Sequence, residues 1–290
     1  MRAIDTLHLG RRRWICCWQV GEVLVDPGPT LSLDRVLAEL DGRQPSAILL
    51  THIHFDHAGG TGTLMRRFPE LEVYVHERGA PHMLNPERLW ASASQLYGED
   101  KMLAMWGEFV PVPEERLHVL TGGETLRIGA DAFEVAYTPG HAKHHVSYLD
   151  EHSGMAYVGD TAGVQVSGNY LIAPTPPPDI DIEAWQQSLN TIDAWQPVSL
   201  FLTHFGPVSP ARAHLARFRK TVADAAETSR LMIDAGGSDE QLAKKFAERM
   251  RQDARKALPE HEARAAELAA PFDQLWQGLA RYWQEKRDGQ

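Results

Sequence analysis

The sequence predicts an α+β protein, a four-layer αββα sandwich with a C-terminal helical subdomain. Three observations carry this expectation. Short apolar and β-branched runs fall into two groups, one within residues 4–75 and one within 117–203. Segments of helical spacing flank each group, and two sheets so flanked pack face to face with helices outside. Beyond residue 210 only helical periodicity remains.

The elements follow in order. Residues 4–9, 14–20 and 22–26 read as a strand meander ending at the turn Asp26-Pro27-Gly28-Pro29. Cys16 and Cys17, the only cysteines, are neighbours on the second strand. Alternation sends them to opposite faces, as packing thiols of a reducing compartment rather than a redox pair. Residues 31–40 carry helical spacing (Leu33, Val36, Leu37, Leu40), and Ala47-Ile48-Leu49-Leu50 reads as a buried strand. A helix near 60–68 and a strand at 73–75 come next. A second run of strands is expected at 117–120, 124–128, 132–138, 145–149 and 155–158. Extended pieces at 164–166 and 170–172 precede a helix at 181–195 and a strand at 198–203. Residues 1–209 are thus the expected catalytic domain and 210–290 the helical subdomain.

The buried strand at 47–50 feeds Thr51-His52-Ile53-His54-Phe55-Asp56-His57-Ala58-Gly59-Gly60. His52 and His54, two apart, leave the strand end on one side. The glycine pair turns the chain, which leaves Asp56 and His57 beside them. Four titratable groups packed so closely repel or suffer desolvation unless a cation sits among them. Neutral nitrogen and anionic oxygen donors suit zinc, iron or manganese. Gly59 to Gly62 lack the Lys-Ser/Thr that completes a phosphate-cradling loop, so no nucleotide site is expected.

The pattern His52-x-His54-x-Asp56-His57 with Gly59-Gly60 resembles the signature of the metallo-β-lactamase superfamily, and within it the glyoxalase II-like hydrolases. The resemblance implies three further ligands on downstream strand-end loops. His141 in Tyr137-Thr138-Pro139-Gly140-His141, Asp160 in Tyr157-Val158-Gly159-Asp160 and His204 in Phe201-Leu202-Thr203-His204 fill those places. By analogy with binuclear members, His52, His54 and His141 hold one metal, Asp56, His57 and His204 the other, and Asp160 bridges them. The implied cofactor is a pair of divalent ions, zinc first, with iron or manganese as alternatives. Asp26 and His145 are implied as outer supports that fix the orientation of the ligands.

The expected activity is hydrolysis of a small ester, thioester, lactone or phosphoester by a hydroxide made nucleophilic between two cations. Asp56 is the expected carrier of a proton to the leaving group. Iron-using relatives supply the alternative, a persulfide dioxygenase-like oxidoreductase. Nucleic-acid processing comes last, because the net charge is −10 and no Lys/Arg stripe is present. The expected partner is therefore a small-molecule substrate, with neither nucleic acid nor membrane. No apolar run approaches membrane-spanning length and the N-terminus lacks a signal-peptide core, so a cytoplasmic protein is expected.

Residues 77–116 form an insertion rich in Met, Trp and Tyr. Three roles are open to it: a lid over the substrate, a satellite core, or a homodimer patch. Tyr97 and Trp106 are its candidate substrate-pocket residues. Tyr170, beside Asn169, is a third, expected on the metal-bearing rim where a phenol can hydrogen-bond an oxyanion. His76 and His82 lie outside any ligand spacing, and Lys143 and His144 read as an exposed loop.

Overall fold

The computed structural model describes residues 1–288, the side chains of Leu96 and Tyr97 excepted. Six strands form the first sheet in the order β1 (Arg2–Asp5), β2 (Cys16–Val20), β3 (Val23–Val25), β4 (Ala47–Leu49), β5 (Glu72–His76) and β6 (Leu117–Leu120). The second sheet, read from its other edge, runs β7 (Thr125–Ile128), β8 (Asp131–Tyr137), β9 (Val146–Asp150), β10 (Met155–Gly159), β11 (Ser199–Leu202) and β12 (Gly206–Val208). Residues 117–120 do not open the second sheet, contrary to expectation. They pair in parallel with β5 and complete the first. The intervening insertion returns the chain to the same sheet edge, a long-range pairing that local sequence does not encode.

Period-two alternation divides the core into layers. Cys16, Trp18, Val20, Val23, Val25, Ala47 and Leu49 face inward, where they meet Phe133, Tyr148, Tyr157 and Phe201 of the opposite sheet. Cys17, Leu24, Ile48 and Leu50 face outward onto α1 (Leu33–Leu40), α2 (Phe55–Ala58) and α3 (Thr61–Arg67) through Val36, Leu40, Ala58 and Leu64. The two cysteines thus occupy opposite faces, both buried and free. On the far side of the second sheet, α7 (Ile182–Ala194) and α8 (Ala211–Asp234) cover Val158, Leu200 and Leu202 with Trp185, Leu189, Leu215 and Phe218.

Three boundaries depart from the sequence reading. β1 ends at Asp5, because Asp5 accepts from the Leu7 and Arg13 backbone N–H groups and turns the chain. Leu7 and Leu9 adopt left-handed conformations in that turn, which removes them from any strand. Asp56 and His57 lie on the helical turn α2 rather than in irregular loop. The strand β12 carries only three residues, one of them Pro207, and has no sequence signature.

Within the insertion lie α4 (Ala80–Leu84), α5 (Glu87–Tyr97) and α6 (Glu99–Trp106). Met83 and Val112 enter the outer core, and Leu89 and Phe109 pack against it. The segment is therefore rooted in the main domain, while Leu103 at its far side is exposed.

The C-terminal helices α8, α9 (Asp239–Ala257), α10 (Glu260–Ala269) and α11 (Phe272–Asp288) enclose a further core around Phe246, Phe272 and Trp276. Ser238 and Gln241 cap α9 reciprocally. Val164, Val166 and Ile172, extended residues joined by one Val164–Ile172 bridge, belong to this same core. Contact is close: a Cβ on Gly278 of α11 would lie 2.1 Å from the Thr175 carbonyl oxygen.

Candidate metal centre

Seven side chains meet where β4, β8, β10 and β11 end. His52 follows β4, and His54 leads into α2, which carries Asp56 and His57. His141 lies beyond β8, Asp160 directly follows β10, and His204 comes two residues after β11. Gly140 makes one approach possible: with φ +135°, it lets Trp185 come so near that a Cβ would sit 2.3 Å away. Trp185 then packs edge-on to the His141 ring at 5.8 Å.

The donors gather in two overlapping groups. His52, His54 and His141 converge, with His54 Nδ1 lying 3.0 Å from His52 Nε2 and 3.1 Å from His141 Nε2. Asp56, His57 and His204 form the second group, with His204 Nε2 3.2 Å from Asp56 Oδ2 and 3.3 Å from His57 Nε2. Asp160 touches both: its Oδ2 lies 3.5 Å from His141 Nε2, and its Oδ1 lies 3.4 Å from His57 Nε2 and 3.6 Å from His204 Nε2.

The outer ring nitrogens decide what the inner ones can do. His141 Nδ1 bonds the Pro174 carbonyl at 2.8 Å, and His204 Nδ1 bonds the Trp14 carbonyl at 2.7 Å. A carbonyl only accepts, so both Nδ1 atoms carry a proton and each ring turns Nε2 inward, as the nitrogen that can bind a cation or, without one, a proton. His57 Nδ1 is tied to Asp26 Oδ2 at 2.8 Å, which orients it likewise. Lone pairs converging on lone pairs and on a buried Asp160 Oδ1 without a hydrogen-bond partner form a donor set that fits divalent cations.

The electrostatics agree. Burial, reinforced by neighbouring imidazoles, pushes His52 well below the ordinary histidine range and His54 down to about 4. Burial opposes charge on His57 and His204 too, yet the carboxylates of Asp160 and Asp56 outweigh it and raise both. Burial disfavours charge on Asp56 and Asp160 as well, but the adjacent histidines hold both carboxyls below the usual carboxylate range. Protons on His57 and His204 answer the negative charge that cations would otherwise neutralise.

Asp26 sits behind this cluster, fully buried. Its Oδ2 accepts from His57, from Thr51 Oγ1 at 2.7 Å and from Thr203 Oγ1 at 2.9 Å, and its Oδ1 accepts from the Thr51 N–H at 2.8 Å. His145 braces a different part of the site. Its Nδ1 lies 3.0 Å from both Thr138 Oγ1 and Thr161 Oγ1, and its Nε2 lies 3.3 Å from the Asp160 backbone nitrogen as acceptor.

The sequence reading missed these threonines. A signal was present: Thr51-His52 and Thr203-His204 both set a hydroxyl directly before an imidazole. It also missed His8, whose buried ring lies flat against Trp106 at 5.3 Å and edge-on to Trp14 at 4.9 Å. Burial lowers His8 to about 4.

The cluster reaches solvent through His54, Phe55 and Asp56, which are only partly buried. Trp90 and Phe109 of the insertion stand edge-on to Phe55, at 5.9 and 5.4 Å, and so wall this opening. Trp106 sits in the aromatic stack with His8, and the Tyr97 side chain falls outside the described residues. Tyr170 is not where it was expected. Its hydroxyl donates to the Met250 carbonyl and its ring packs on the C-terminal core, because the 164–172 segment is drawn into that core. His144 also differs from an exposed loop residue: it is half-buried, with its ring parallel to His52 at 6.0 Å. Lys143 is exposed and pairs with Asp179. His76 stacks on Tyr137 away from the ligand groups.

These shifts set a pH response for the metal-free chain. His52, His54, His141, His144 and His145 all lie below the ordinary histidine value, burial being the first cause in each. Unfolding lets them take up protons, so their contribution is fully present above about pH 6.5 and is lost as pH falls below it. The raised His57 and His204 act oppositely but are fewer. The expected result is a denaturation midpoint that falls between pH 7 and pH 5, measured by chemical denaturation at fixed ionic strength.

Fold and site together define a class of two-sheet proteins that gather histidine and aspartate donors at one sheet rim. The chain belongs to the metallo-β-lactamase superfamily, whose family model matches residues 21–198. It is 27% identical over 242 residues to the metallo-beta-lactamase fold-containing protein ST1585 of Sulfurisphaera tokodaii, covering 81% of this chain and 87% of that protein. The crystal structure of ST1585 superposes with a TM-score of 0.63 at 25% identity, over 76% of this chain and 84% of that one. A metallo-beta-lactamase family protein of Thermus thermophilus, TTHA1429, shares the fold with a TM-score of 0.63 at 20% identity, over 94% and 88% of the two chains. Hydroxyacylglutathione hydrolase of Xylella fastidiosa is 32% identical over 139 residues, 48% of this chain but only 40% of that enzyme. Among the described residues, no helix is long and apolar enough to cross a membrane.

Proposed function

We propose that this chain is a dinuclear metal-dependent hydrolase of a small ester, thioester, lactone or phosphoester. The observation that carries the reading is the position of the Asp160 carboxylate, within 3.6 Å of ring nitrogens from both donor groups. His52, His54 and His141 would hold one cation, Asp56, His57 and His204 the second, with Asp160 shared. Such a pair supplies a nucleophilic hydroxide at neutral pH and a Lewis acid for the oxygen under attack.

The protein's own groups do the rest. Pro174, Trp14 and Asp26 fix the tautomers of His141, His204 and His57, so the inner nitrogens are held ready rather than recruited. Asp56 keeps one oxygen near His204 while its side chain remains 22% exposed at the mouth. A carboxylate so placed can take a proton from the attacking water and hand it to the departing atom. Phe55, Trp90 and Phe109 give that mouth an apolar wall against the non-reacting part of a substrate. The relative named as a hydroxyacylglutathione hydrolase lends weight to the hydrolytic side of the superfamily.

Elemental analysis of the purified chain, combined with a panel of chromogenic esters, thioesters, lactones and phosphoesters, tests the reading. Two zinc ions per chain and turnover of one of these classes support it. One iron per chain with oxygen consumption and no hydrolysis overturns it in favour of dioxygenase chemistry. Asp56→Asn, which also removes one ligand charge, is expected to lower turnover about 100-fold or more while lowering metal content far less than that. A parallel loss of metal and activity would remove the proton-carrying role.

A further inference from the structure

Behind the metal centre, a solvent-open concavity of about 270 Å³ is lined by Arg11, Arg12 and Arg13 from the loop after β1 and by His261 and Arg264 from α10. Among the described residues, no carboxylate forms an ion pair with any of these four arginines, in a chain whose net charge is −10. The acids of α10 have other partners: Glu260 pairs with Arg255, Glu267 pairs with Arg251, and Glu262 accepts from Ser167 Oγ and lies 3.9 Å from His261. Two of the arginines are held in place. Arg13 donates its Nε to the Val166 carbonyl at 2.9 Å and rests 4.8 Å over the Phe205 ring, and Arg11 lies 5.0 Å over Trp14. Arg12 and Arg264 leave their guanidinium forks free.

This cavity shares a wall with the metal centre. Trp14 lines it, and the Trp14 carbonyl is the acceptor that orients His204. Phe205, under Arg13, is the next residue after that ligand. The four arginines are exposed, so solvent screens much of their mutual repulsion, and an anion seated among them would meet several donors at once. Their planar forks match the oxygens of a phosphoryl group better than a single carboxylate, whose one charge leaves most of the cluster unanswered.

We propose that the Arg11–Arg12–Arg13 loop and Arg264 of α10 form a binding site for a phosphate group. Two sources share that chemistry: the non-reacting end of a phosphate-bearing substrate, or free phosphate acting as an effector. Only the first source rests on the hydrolytic reading.

Calorimetric titration of inorganic phosphate into the full metal-loaded chain tests the site without requiring turnover. Binding of phosphate at the metals is common to all variants, so the comparison isolates the cavity. Arg12→Gln/Arg264→Gln is expected to weaken one phosphate-binding event at least about tenfold, and added sodium chloride is expected to weaken the same event in the wild type. Each single variant should lose part of that affinity. Because the two lie on separate chain segments, misfolding of one does not imitate the result, and melting temperatures check both. Superimposable phosphate isotherms for wild type and double variant overturn the proposal. Matched aryl esters ending in a phosphate or in a neutral hydroxyl then separate the sources. A wild-type preference for the phosphate ester that collapses at least about tenfold in the double variant assigns the site to substrate. Phosphate binding lost in the double variant, with no wild-type preference between the esters, assigns it to free phosphate.

Discussion

Replacing Asp160 by Asn is expected to cut turnover by about 10³-fold and to lower metal content below two ions per chain. The side chain is 6% exposed, and its two oxygens are divided between His141 on one side and His57 and His204 on the other. An amide of the same shape keeps one weak oxygen donor and turns an NH₂ toward one group of nitrogens. The nominal charge on the carboxylates of the centre falls from about −2 to about −1, so on the dinuclear reading two divalent cations there would repel each other with less compensation. Elemental analysis after dialysis and steady-state rates on one substrate read the two effects together. Retention of both ions with undiminished turnover would show that this carboxylate is not shared between them.

Asp26→Ala should have the largest effect on stability, about 3–5 kcal/mol, together with weaker metal retention. The carboxylate takes four hydrogen bonds in a fully buried position, from a strand-end amide, two threonine hydroxyls and His57. Alanine strands every one of those donors away from water, and a stranded buried donor costs more than a typical hydrogen bond contributes. It also frees the His57 ring to turn. Urea denaturation of wild type and variant measures the first effect, and competition with a chelator measures the second. A midpoint shift equivalent to less than about 1 kcal/mol would contradict the network.

The candidate metal centre was legible in the sequence because its donor residues are chemically marked. Histidines and aspartates at strand ends, spaced as in His52-x-His54-x-Asp56-His57, announce themselves before any fold is known, and the structure brings all seven together. The two-layer core was legible for a similar reason: Val23, Leu24 and Val25 alternate between layers as a period of two demands. What escaped was whatever depends on partners distant in sequence. β6 joins the first sheet across the 77–116 insertion, a pairing invisible to any local window. Tyr170 looked like a rim residue because it follows Asp160 closely, yet a helix far downstream claims it through the Met250 carbonyl. The supporting threonines are ordinary residues whose importance lies in the Asp26 and His145 side chains they meet. Trp90 and Phe109, which wall the mouth, were no more conspicuous than the aromatic residues around them.

The close seat of α11 has a wider meaning. Thr175 donates its hydroxyl to the Leu275 carbonyl, Gly278 lies against the Thr175 backbone, and the preceding Pro174 carbonyl accepts a hydrogen bond from His141 Nδ1. The helix α11 therefore bears on the His141 imidazole through the 174–175 backbone, much as a keystone loads stones below it. A replacement helix that packed differently would be expected to move the Thr175 backbone and, with it, the carbonyl that orients His141.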